Sequence, residues 1–81
     1  MITARQSRAA RALLGWTQET LAEKARVSLT ALKRLESEND LVVYETTRHQ
    51  VRKAFENNGV VFLNSEQGIG VLVVHDRAND R

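Results

Sequence analysis

Between Gln18 and Ser37 the apolar residues fall at spacings that two short helices joined by a tight turn can bury together. Leu21, Ala25, Val27, Leu32 and Leu35 occupy the places where helices crossing at roughly 90–120° press against each other. Ala22 is small where the second helix crosses the first, and a longer side chain would push the two apart. Leu29, Thr30, Lys33 and Arg34 remain on the second helix and project away from that core. This is a helix-turn-helix pattern. The blander reading is an ordinary helical hairpin with a solvated outer face.

The flanking residues extend the helical reading in both directions. Thr3 is placed to cap a first helix that runs to about Leu14 and stops at Gly15, with Ile2, Gln6, Ala9, Ala10 and Leu13 on one face. Trp16 follows the glycine and is expected in the core. Thr17 and Ser28 are N-cap residues for the two motif helices, and the second runs to about Ser37. Arg26 sits in the turn, where a left-handed backbone is usual and glycine would cost least. Glu38 to Val43, with Asn39-Asp40, reads as a loop before a fourth helix from about Tyr44 to Asn57. Val51, Ala54 and Phe55 form the apolar face of that helix, while Arg48, Arg52 and Lys53 fall on its solvated side.

After Gly59 the period changes. Val60 to Leu63 and Ile69 to Val74 are apolar runs on either side of Asn64-Ser65-Glu66-Gln67-Gly68, which predicts a β-hairpin. Both runs are apolar on both faces, so one face needs a cover that the hairpin's own helices do not supply. A second subunit is the economical cover, with Val60, Phe62, Ile69, Val71, Leu72 and Val73 as its interface. The expected organisation is a single structural domain in three parts: helices over 1–58, a pairing hairpin over 59–75 and a frayed tail over 76–81.

Charge gives the motif a partner. Residues 1–34 carry seven basic side chains against two acidic ones, and residues 35–81 carry five against eight. A basic half that holds the helix-turn-helix is what a phosphate-facing surface needs. Arg34 and Thr30 are candidates for base contact, with Leu29 offering an apolar contact to a thymine methyl. Ser28, Lys33 and Arg26 are candidates for the DNA backbone. Thr17 and Gln18, at the amide-rich start of a helix, are candidates for a phosphate there, with Gln18 alternatively a simple first-turn residue in solvent.

Other chemistry is poorly supported. The chain has no cysteine, hence no disulfide framework or thiolate metal site. His49 and His75 have no partner at ligand spacing, so no metal and no cofactor is expected. No catalytic set or glycine-rich phosphate loop stands out, which argues against an enzyme. No apolar run approaches the ~20 residues of a membrane span, and Met1-Ile2-Thr3-Ala4-Arg5 leads into a helix instead of a signal peptide. The expected location is the cytoplasm.

The residues from Arg8-Ala9-Ala10-Arg11 through Leu14-Gly15-Trp16-Thr17-Gln18-Glu19, then Leu21-Ala22-Glu23-Lys24-Ala25, Val27-Ser28 and Leu32-Lys33-Arg34-Leu35-Glu36, carry a resemblance. They are similar to the Cro/C1-type (XRE) helix-turn-helix family of transcriptional regulators. Gly59-Val60-Val61-Phe62-Leu63 also resembles a small subgroup in which a helix ends in such a strand. The resemblance implies a mainly α fold, a lambda-repressor-like four-helix domain, here followed by a β-hairpin. It assigns recognition to Ser28, Leu29, Thr30, Ala31 and Arg34, a phosphate to Gln18, and an ion pair to Arg11 and Glu36. The chain departs from the family at Arg26, where glycine is usual, and in ending on strands. The expected function is a homodimeric repressor on a palindromic operator in double-stranded DNA, its own gene included among the targets. The alternative is an antitoxin-like module whose main partner is a protein. A third reading has Glu19 and Glu23 contacting RNA polymerase.

Overall fold

Local caps set the ends of the first three helices. The computed structural model describes residues 2–37 and 42–75, with α1 at Ala4–Leu14, α2 at Gln18–Ala25, α3 at Leu29–Glu36 and α4 at Glu45–Glu56. Thr3 and Gln6 close a reciprocal capping box at the start of α1, and Gly15 ends that helix at φ 71°. Thr17 and Ser28 each accept a backbone N–H from the first turn of their helix. Tyr44 caps α4 without a side-chain bond, one residue earlier than the helix itself begins. The loop residues Asn39 and Asp40 and the tail 76–81 lie outside the described residues.

The four helices enclose a core in which Phe55, Ile2, Leu21, Leu32 and Val51 are fully buried. Trp16 is half-buried and stacks on Phe55 at 5.8 Å between centroids, while Phe62 meets Phe55 edge-on at 5.9 Å. The inward side of α1 differs from the expected one. Gln6, Ser7 and Ala10 are buried, whereas Ala9 is exposed and Leu13 is 57% exposed. Ser7 is drawn in because its hydroxyl donates to Glu36 at 2.5 Å, and this turns Ala9 and Leu13 outward. Arg48 also differs: it is half-buried and its guanidinium donates to the Ile2 carbonyl at 2.7 Å.

β1 at Val60–Ser65 pairs antiparallel with β2 at Gly68–Val73 around a two-residue turn, Glu66-Gln67. The strands are longer and the turn shorter than the apolar runs suggest. Val60 stands opposite Val73 and Phe62 opposite Val71, and these two pairs face the helices. Val61 opposite Leu72 faces away.

That register divides the six residues expected at an interface between the two sides of the hairpin. Val60 is 3% exposed and belongs to the protomer's own core, and Phe62, Val71 and Val73 pack against it. Ile69 lies on the same side as these residues but overhangs α1 near Arg5 and is 52% exposed. Of the six expected residues, Leu72 alone is on the outer side. Gly59 sets the phase of the hairpin. Its φ is 86°, Val74 N–H donates to its carbonyl at 2.7 Å, and a Cβ there would stand 2.9 Å from the Val74 oxygen.

Candidate nucleic-acid interface

The outward side of α3 follows from the burial of its inward side. Leu32, Leu35 and Glu36 are buried, which leaves Thr30, Lys33 and Arg34 exposed. Lys33 and Arg34 make no ion pair among the described residues. Beside them a cleft of about 300 Å³ separates α3 from the start of α4, so Thr30 and Arg34 are unpacked on that side. Leu29 is half-buried against the core, and only part of its side chain is open to a partner.

The backbone candidates divide by the state of their donors. Ser28 Oγ accepts from Ala31 N–H at 3.0 Å, and its own proton is not committed among the described residues. Thr17 Oγ1 accepts from Thr20 N–H at 3.1 Å and also donates to Thr20 Oγ1 at 3.0 Å. A contact from the Thr17 side chain would have to break that bond. Arg26 is exposed at φ 57° and ψ 44°, and its N–H closes the end of α2.

Gln18 does not simply face solvent, the second of the two readings weighed for it from sequence. It is half-buried, and its Nε2 donates to Glu36 Oε1 at 3.0 Å. An amide group has two hydrogens, so one is left for a phosphate. Glu36 is the hub of this arrangement. Its carboxylate accepts from Arg11 Nη2 at 2.8 Å, from Arg11 Nε at 3.0 and 3.1 Å, and from Ser7 Oγ at 2.5 Å. Arg8 donates to the Glu36 carbonyl, and Arg11 Nη1 donates to the Trp16 carbonyl at 3.2 Å. Burial pushes the Glu36 carboxyl up, but hydrogen bonds from Arg11, Ser7 and Gln18, with the charge of Arg11, outweigh it and hold the group below its ordinary value. One side chain thereby fixes α3 to α1 and α2.

Sequence reasoning left Ser7 without a role and Gln6 without its hydrogen bonds. For Gln6 a signal was present, since Thr3-x-x-Gln6 is a capping-box spacing. Ser7 offers none, because a serine inside a helix is as often solvated as buried. His49 and His75 are exposed, and among the described residues no three His, Cys, Asp or Glu side chains gather as metal ligands. No helix among the described residues is long and apolar enough to cross a membrane.

A short, capped helix that presents threonine, lysine and arginine to solvent, held at a fixed angle on a basic half, defines a DNA-reading domain. Residues 8–40 match the model of the family described as helix-turn-helix, and the chain carries a domain of that Cro/C1-type (XRE) family. It is a DNA-binding transcription regulator. No curated protein matches the chain.

Proposed function

We propose that the protein is a homodimeric repressor that binds a palindromic operator through the major groove, and that DNA upstream of its own gene is a target. The observation that carries the reading is the exposed row Thr30, Lys33 and Arg34, its two cations without an ion pair among the described residues, on a helix locked by Glu36. In this reading Thr30 and Arg34 contact bases, assisted by the open part of Leu29. Lys33, Ser28, Arg26, Gln18 and the backbone at Thr17 hold phosphates. Two α3 helices would enter successive major grooves about 10 base pairs apart.

Fluorescence anisotropy on duplex DNA from upstream of the gene, against a shuffled duplex over a salt series, tests this. Expected are selective binding, a steep salt slope and two protomers per site. Arg34→Ala should cost roughly 1–3 kcal/mol and relax selectivity at one base pair. An Arg34→Ala protein with unchanged base preference would refute the assignment of that residue.

A second reading, an antitoxin-like module that also binds DNA, is favoured by the apolar side chains left exposed on the hairpin. Stoichiometric co-purification of an unrelated chain would select it.

A further inference from the structure

The two edges of the hairpin are finished differently. Val74 N–H donates to the Gly59 carbonyl, so Val61–Leu72, Leu63–Gly70 and Ser65–Gly68 are the pairs that bond across the strands. The N–H and C=O groups of Ile69, Val71 and Val73 therefore point outward along the free edge of β2, and those of Val60, Phe62 and Asn64 along that of β1. Charge guards the β1 side, where Arg52 lies 5.8 Å from the Phe62 ring centre and pairs with Glu56 at 3.0 Å. The β2 side carries a cation without a counter-ion. There the edge borders a groove of about 260 Å³ against α1, lined by Arg5, Gln6, Ala9, Ile69, Gly70 and Val71 and open toward Thr3 and Ala4. Arg5 is exposed, in a first helical turn that holds no acidic residue, and makes no ion pair among the described residues.

We propose that the β2 edge takes an extended segment of a different protein as a third strand, and that this segment carries an acidic side chain opposite Arg5. The assignment rests on the reading of the chain as a protein-binding module and is independent of the operator. An extended chain beside β2 satisfies the outward N–H and C=O groups of Ile69, Val71 and Val73. Its side chains on the helix side fall into the groove, where Ala9 and Gly70 are small enough to admit them. Its acid meets Arg5 at the start of α1, where the helix dipole also favours negative charge. Charge chooses this occupant over a second copy of β2. From Gly68 to His75 the chain has no acidic side chain, so β2 paired with itself leaves Arg5 unmatched in both copies. None of the residues lining the groove belongs to α3, so the segment and the outward side of α3 do not compete for the same side chains.

The test selects binders from a phage-displayed library of random peptides on the full chain, then follows amide exchange by NMR with the best synthetic peptide. The selected peptides should alternate β-branched residues and share an Asp or Glu at one place. In the free protein the Ile69, Val71 and Val73 amides should exchange fast, and the peptide should slow them. Ile69→Pro removes an outward N–H without removing a bond to β1, and should weaken the peptide by about tenfold or more. Arg5→Glu, an exposed change in a first turn that tolerates acid, should weaken it by about fivefold. A peptide with lysine in place of the acid should then prefer Arg5→Glu to wild type. Peptides without an acidic preference, or unaffected by Arg5→Glu, overturn the proposal. Slow exchange in the dilute free protein would mean that the chain covers its own edge, and protection only at high concentration would mean a second copy; both overturn it. Peptides that leave the three amides unprotected bind elsewhere, which overturns the edge and leaves the protein-binding reading standing. A library that yields no binder overturns the edge and counts against that reading as well.

Discussion

Glu36 gathers donors from two other helices onto one buried carboxylate, and its removal should be felt as both stability and pH dependence. Glu36→Gln keeps the shape and leaves the Arg11 guanidinium, 19% exposed, without its counter-ion. A loss of about 2–3 kcal/mol is expected in urea denaturation at neutral pH. The folded protein holds this carboxyl below its ordinary value of 4.5. The stability it contributes is therefore fully present above that value and disappears as pH falls through the lowered folded value. Wild type should lose more stability than Glu36→Gln on acidification across that window. Arg26 makes the opposite case. Its backbone sits in the left-handed region that costs a non-glycine residue roughly 1–2 kcal/mol, partly offset by the greater chain entropy that glycine loses on folding. Arg26→Gly should raise thermal stability slightly, by up to about 1 kcal/mol, and reduce the salt slope of DNA binding by about one. An unaltered slope would remove Arg26 from the phosphate contacts. The strained turn was legible in the sequence because glycine is expected at such a position. The donors around Glu36 were not, since Ser7 and Gln18 meet it only once three helices have crossed.

At the scale of elements, Gln6 ties the hairpin to the first helix. Its Nε2 donates toward the Gly70 carbonyl at 3.0 Å, the Leu63 carbonyl at 3.2 Å and Asn64 Oδ1 at 3.4 Å, while its Oε1 accepts from Thr3 N–H. Gln6→Leu leaves those acceptors facing an apolar side chain. A loss of about 2 kcal/mol is expected, read as faster hydrogen exchange of the hairpin amides with the α3 amides little changed. Equal exchange in the two proteins would mean that Val60, Phe62 and Val71 hold the hairpin by packing alone. Helix ends were legible because a cap is a local device, carried by Thr3, Gly15, Thr17 and Ser28 within a turn of the residues they serve. The phase of the hairpin was not legible. Val60-Val61-Phe62-Leu63 has no polar residue to mark its outer side, so alternation says nothing about which set turns inward. The backbone at Gly59 decides it, by leaving α4 at a positive φ and closing on Val74.

Across the whole molecule, the reading surface and the hairpin are attached to a common frame but chiefly to different parts of it. α3 is fixed to α1, α2 and α4, whereas the hairpin leans on α1 and α4. In the sequence the basic excess falls on residues 1–34, which hold Thr30, Lys33 and Arg34, and the acidic excess on residues 35–81, which hold the hairpin. The separation has a consequence for how such a regulator diversifies. Under the proposed function, changes at Thr30, Lys33 or Arg34 would rewrite the DNA address without touching the exposed hairpin residues Val61, Leu63, Leu72 or Val74. Under the same reading, a lineage of copies would acquire new targets while keeping whatever the hairpin contacts, or change that contact while keeping the same target. Duplicated genes of this design have two independent ways to become insulated from their parents.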